Sequence, residues 1–322
     1  MPSSSHSATG QLAPRAAMAL MSAGTALALF VVGAVLETWL ISLLQPSEGE
    51  LTWISDLVLA TSLGVVLYLW LHLRVTRAAL VELERSQIVV DTQLAVAAKI
   101  QRDLLPPAPR PRKGISWAVQ LVPAGPIGGD YYDFVDLGGR SRVAIVADIA
   151  GKGIPAAMML VYVRAVFRQA VRETHEPHAI VARLASAVYA DTRGESYLTC
   201  IVVRVDDEGR RLTATVAGHP AALILGTRLR RVTSGGPPVG LFPDARYEEE
   251  TADLVAGDRI VVVTDGITER MTDFEAAVGR LNGHPSADAM CGSIFELSQS
   301  QDEALPVLGW DDDRTVLVMA VD

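Results

Sequence analysis

Four stretches of this sequence bring a carboxylate to the point where a run of apolar residues stops. "RIVVVTDGITER" (259–270) passes from strand-like residues to Asp265 and Gly266. "SRVAIVADIAGKG" (141–153) ends its run on Asp148, and "AGPIGGDYYDF" (124–134) sets Asp130 after Gly128 and Gly129. "GWDDDRTVLVMAVD" (309–322) places Asp311, Asp312 and Asp313 ahead of a last apolar run. One Asp-Gly pair is ordinary turn chemistry, and four unrelated turn aspartates would leave the same trace. Gathered at one end of a sheet, the acids would repel one another unless a cation sat among them. Oxygen ligands without nearby His or Cys suit Mg2+ or Mn2+ rather than zinc. Two such ions about 4 Å apart activate water for attack on phosphorus. Glycine beside the acids lets backbone approach where a Cβ would block it.

Positioning such acids takes strands that end together. Short apolar runs predict strands at Trp117–Val122, Val143–Ala147, Thr199–Val205, Leu212–Ala217, Ala222–Leu225, Arg259–Val263 and Thr315–Val321. Helical periodicity predicts helices at Pro155–Val171 and Pro177–Ala190, with a weaker one near Ala287–Ser298. Adjacent strands with helices grouped between them point to an α+β fold of antiparallel sheets carrying helices on their faces. No repeat is evident, and "GKGIP" lacks the spacing of a nucleotide-binding phosphate loop. Cys200 and Cys291 are far apart, without metal-ligand spacing, and read as reduced thiols.

Composition bounds the rest. The chain has 322 residues, half of them hydrophobic, with the apolar excess before about residue 75. About 240 residues remain after that point, enough for one sizeable core. A formal net charge of -9 argues against nucleic acid as a partner. Two stretches, about 16–36 and 52–73, have the length and apolarity of transmembrane helices. The first is long for a signal-peptide core. Arg15 precedes the first, Arg74 and Arg77 follow the second, and only acids lie between, so the positive-inside rule puts both ends in the cytoplasm. Trp39, Trp53 and Trp70 fall near the span ends. The expected location is therefore the cytoplasmic membrane, multi-pass, with residues 1–74 as tail and spans.

A helical connector follows at 75–105. Leu80, Leu83, Gln87, Val90, Leu94, Ala97, Gln101 and Leu104 keep a 3-4 spacing. Such a seam fits a parallel homodimer with two glutamines fixing its register, or one amphipathic helix packed on its own domain. "PPAPRPRKG" (106–114) stops it, because proline cannot continue a helix.

The stretches "AAKIQRDLLPP", "IGGDYYDF", "VADIAGKGIPAAMML", "LTCIVVRVD", "VAGHPAALIL", "PPVGL", "VVVTDGITE" and "DDRTVLVM" occur in an order that resembles the PPM metal-dependent Ser/Thr phosphatases, specifically their SpoIIE/RsbU-like branch. The resemblance spans about residues 95 to 322. It implies an α-β-β-α sandwich of two antiparallel sheets, over 115–322, with two Mn2+ or Mg2+ ions at one end. By position, Asp148 would bridge both ions and Ile149 would offer its carbonyl. Asp265 and Asp312 would complete the sites, and Asp130 would bind partly through water. Asp313 would be the spare acid, although the triple Asp leaves the register open by one. Asp148, Asp265 and Asp130 would then be the catalytic acids, hydrolysing phosphoserine or phosphothreonine without a phosphoenzyme. The substrate implied is a phosphorylated STAS-domain anti-anti-sigma protein in a partner-switching pathway.

Three readings compete with parts of this one. A catalytically weak membrane scaffold would have lost an acid, and none is lost. "GGDYYDF" echoes a diguanylate cyclase loop but lacks its Glu-Phe. His219 in "AGHP" reads as a structural turn histidine or a leaving-group acid. The region between Asp265 and Asp312 is shorter or more diverged than the resemblance implies.

Overall fold

The computed structural model describes residues 32–33, 35–36, 39–40, 43, 50–107, 114–138, 141–206, 210–302 and 312–321. The first expected span lies almost wholly outside these residues, as does Asp311. The described positions between 32 and 43 are helical.

Helix α1 (Glu50–Leu104) is 55 residues long and joins the second apolar stretch to the connector without a break. Leu57, Leu59, Leu63, Leu69 and Leu71 point outward on several sides, all exposed. A helical stretch that exposes this much apolar surface suits apolar surroundings. By length and composition, Leu59–Leu104 contains a segment able to cross a membrane. Arg74 covers the Trp70 ring at 4.1 Å, at the end of the apolar stretch. The described residues up to Val89 belong to one unit and those from Val90 onward to another.

The second unit is built on two sheets. One contains β1 (Ile115–Val122), β6 (Ala222–Leu225), β7 (Leu229–Val232), β10 (Arg259–Val263) and β11 (Arg314–Val321), in the order β1-β11-β10-β6-β7. The other contains β2 (Asp130–Asp136), β3 (Ser141–Ile149), β4 (Leu198–Asp206), β5 (Arg211–Ala217) and β8 (Gly235–Gly236), in the order β2-β3-β4-β5-β8, with β9 (Glu250–Asp253) also on β5. Pairing is antiparallel except between β5 and β8. The chain leaves β5, makes the β6–β7 hairpin in the other sheet, and returns to run alongside β5 in the same direction. The expectation of purely antiparallel sheets is corrected at that one short edge.

Two helices, α2 (Ile154–Glu173) and α3 (Pro177–Thr192), cover the β2–β5 sheet. After a four-residue α4 (Asp265–Thr268), α5 (Phe274–Gly279) and α6 (Ala287–Asp302) cover the other. The layers are thus helix, sheet, sheet, helix. In α2, Pro155 occupies the first turn and Ala156, Leu160, Val163, Phe167 and Ala170 form one buried stripe. Fully burying a side chain such as Phe167 is worth roughly 1.5–3 kcal/mol. That stripe makes α2 a core helix even though its composition would also suit a membrane. Arg168 clamps it to β2 by donating to both oxygens of the fully buried Asp133, at 2.7 and 2.8 Å.

Strand periodicity sorts the core into layers. Val143, Ile145, Ala147 and Ile149 of β3 face the helices, whereas Ala144 and Val146 face the opposite sheet. On β10 and β11, Ile260, Val262, Leu317 and Met319 fill the same inter-sheet layer. The connector seam divides. Leu80, Leu83, Gln87 and Val90 are exposed, Leu94, Ala97 and Leu104 are half-buried, and Gln101 is buried within the second unit.

Candidate active site

The inter-sheet row does not stay apolar to its end. On β3 it continues from Ala144 and Val146 to Asp148, and on β2 from Phe134 and Tyr132 to Asp130. On β10 and β11 the same row ends at Thr264 and Thr315. Polar side chains therefore meet at one end of the sandwich because four strands stop in phase there.

Asp130 and Asp148 are direct cross-strand partners, and Thr199 on β4 is the next partner of Asp148. Asp130 is buried, and its Oδ2 accepts from Thr264 Oγ1 at 2.9 Å and Thr315 Oγ1 at 2.5 Å. Both threonines belong to the other sheet. Burial holds the Asp130 carboxyl well above its ordinary range, with Asp148 and Asp313 adding repulsion that the two hydroxyls oppose. Asp148 is partly exposed and is pushed up to about 7, first by burial and then by the charges of Asp265, Asp312 and Asp313. Lys152 is the one cation acting against that rise. Asp265, the first residue of α4, is also raised by burial and by Asp312.

The triple aspartate divides by role. Asp312 Oδ1 stands 3.7 Å from Lys152 Nζ, and both side chains are substantially exposed. Asp313 is buried and turned into the 124–130 loop. Its Oδ1 accepts from Ala124 N at 2.7 Å, and its Oδ2 accepts from Gly129 N and from Asp130 N at 3.3 Å. Two glycines are needed for space. A Cβ on Gly129 would stand 2.7 Å from the Ile149 carbonyl oxygen and 3.1 Å from Asp148 Oδ1. One on Gly266 would collide with the Asp313 carbonyl.

Asp130, Asp148, Ile149, Asp265, Asp312 and Asp313 are thus gathered at one place, and Asp148 senses the charge of three of the other acids. Among the described residues, no three of them converge at ligand distance. Their chemistry fits hard divalent cations: several carboxylates and a carbonyl kept clear by Gly129, with only the Lys152 ammonium acting on Asp148 against them. His219 is buried, with Nδ1 2.9 Å from Thr199 Oγ1, and burial lowers it to about 3. It is neutral at physiological pH, as befits a structural histidine. The sequence reading missed Thr264, Thr315 and Thr199. The available signal was a threonine interrupting an apolar inward row just beside an acid.

A family model described as stage II sporulation protein E (SpoIIE) matches residues 138–322. The phosphoserine phosphatase RsbU of Bacillus subtilis is 25% identical over 187 residues, covering 57% of this chain and 56% of that protein. The chain therefore spans about half the length of that curated relative, and less of others. Among solved structures, the SiaA-PP2C domain of Pseudomonas aeruginosa superposes with a TM-score of 0.61 at 19% identity, covering 74% of this chain and 99% of that one. The PP2C phosphatase domain of the Bacillus subtilis cell fate determinant SpoIIE, with a fragment of its regulatory domain, gives 0.57 at 18% identity, covering 66% and 64%. These likenesses establish the fold.

Proposed function

The chain belongs to the SpoIIE family, and from that membership we propose that it is a protein serine/threonine phosphatase dependent on two Mn2+ or Mg2+ ions. The observation that carries this reading is the in-phase ending of β2 and β3, which sets Asp130 opposite Asp148 within the field of Asp265 and Asp312. Asp148, the Ile149 carbonyl, Asp265 and Asp312 would hold the ions, with Asp130 contributing partly through water. When bound, the ions supply an acidified water and neutralise phosphoryl oxygens.

The chain's own residues do the rest. Thr264 and Thr315 fix the Asp130 carboxylate by donating to one oxygen. Gly129 and Gly266 keep the approach to the acids open. Lys152, beside Asp312 at the exposed rim, attracts the phosphate dianion of the substrate. A phosphocysteine route is not supported, because Cys200 and Cys291 are buried and each is pushed up to about 12 by burial.

The relative named a phosphoserine phosphatase supports a phosphoserine or phosphothreonine substrate. We propose a phosphorylated STAS-domain anti-anti-sigma protein in that role. The outward-facing apolar residues of α1 support anchoring in the cytoplasmic membrane, with the phosphatase domain in the cytoplasm. Exposed Leu80, Leu83 and Val90 support pairing of two copies along the connector. The deciding experiment is phosphate release from a phosphorylated STAS protein by the purified full-length chain. Release should require Mn2+ or Mg2+ and stop with EDTA. Metal-independent release, or none with either metal, would sink the proposal.

A further inference from the structure

Gln101 sits in the connector's 3-4 seam, where a polar residue would set the register of a paired coil. Its side chain instead turns into the phosphatase unit and is buried. Its amide meets a single backbone residue twice: Nε2 donates to the Gly128 carbonyl at 2.7 Å, and Oε1 accepts from Gly128 N at 3.2 Å. Gly128 lies outside every strand, so no ladder neighbour serves its peptide groups. The glutamine satisfies both of them, which a buried backbone position requires.

The next two residues are held from other directions. Gly129 N and Asp130 N donate to Asp313, and the Gly129 carbonyl accepts from Ile149 N at 3.2 Å. The segment 128–130 is thus suspended between three elements: α1, the end of β3, and the turn before β11. Shifting Gly128 would drag Gly129 across the Ile149 carbonyl, where a gap of one missing Cβ is all the space there is.

We propose that Gln101 is a positioning residue, whose two-point grip on Gly128 sets the placement of Gly129 and Asp130 and so tunes the affinity of the site for its ions. The last turns of α1 are then part of the site's support rather than a spacer. This inference rests on the phosphatase reading for its consequence, but the grip itself can be measured without it.

The test compares Gln101→Met, which keeps length and packing but loses both hydrogen bonds, with Gln101→Asn, which keeps the amide but is too short. In metal-free full-length protein, amide exchange at 128–130 should accelerate about tenfold in both variants while exchange in β4 and α3 stays unchanged. With metal, the Mn2+ concentration giving half-maximal turnover should rise about fivefold or more, with KM for the phosphorylated substrate altered less than about twofold. Unchanged exchange at 129 and 130 would overturn the positioning role. So would a uniform exchange increase across β4 and α3, which is the mark of a merely structural contact. If the wild type hydrolyses nothing but the local exchange effect appears, the phosphatase reading fails and the grip stands.

Discussion

Asp130 and Asp148 face each other across β2 and β3, yet one is sealed from solvent and the other is partly open to it. Two carboxylates paired in one register, both held above their ordinary range, are a standing cost to the fold at neutral pH. In metal-free protein, Asp130→Asn should therefore raise the melting temperature by a few degrees, about 1 kcal/mol or less. With Mn2+ the same variant should lose activity. A lower metal-free melting temperature would show that the Thr264 and Thr315 hydrogen bonds outweigh the repulsion.

Asp148→Asn should reduce phosphate release about a hundredfold or more while circular dichroism stays native, because this acid senses Asp265, Asp312 and Asp313 together. Turnover within about threefold of wild type would rule out a central role.

Asp265→Asn and Asp312→Asn should each weaken Mn2+ binding measured by calorimetry. Asp206→Asn should not, because its Oδ1 accepts from Arg210 N at 2.7 Å and the residue lies at the far end of β4 from Thr199. Equal damage at all three positions would mean that net charge, not place, matters.

Lys152→Ala removes the one cation acting on Asp148. KM for a phosphorylated protein should rise about three- to tenfold, and less at high salt, since exposed charges are screened. An unchanged KM at low salt would assign Lys152 to Asp312 alone.

His219 gives a pH signature. Its folded value of about 3 lies below the ordinary 6.5, so the unfolded chain binds a proton that the folded chain refuses. The stability it contributes is complete above pH 6.5 and is lost as pH falls toward 3. In that window the wild type should lose about 1.4 kcal/mol per pH unit more than His219→Gln. Parallel acid profiles in urea titrations would refute the buried neutral histidine.

The acids were legible because each lies at a strand end and three of the four sites have glycine at or near the acid, a local trace that needs no partner. Sheets with helices on their faces were legible from the grouping of strands and helices, whereas the four-layer order came with the family resemblance. The facing of β3 was not, because a strand buried on both sides shows no alternation until Asp148 breaks one row. Asp130's hydroxyl partners were hidden for a related reason: Thr264 and Thr315 lie 134 and 185 residues away along the chain. Gln101 was misleading because a coiled-coil seam and a helix packed on its own domain share one spacing. The returning β8 left no trace, being a two-residue strand of glycine.

The hydroxyls of Thr264 and Thr315 make Asp130 a latch between the layers of the sandwich. It closes at the same end where the chemistry is expected. Sliding one sheet against the other by even one residue would open it, and would do so before the apolar rows behind it lost their neighbours. Mechanical slip and loss of function would then be a single event, and a phosphate-release assay would report misalignment of the sandwich long before unfolding became visible.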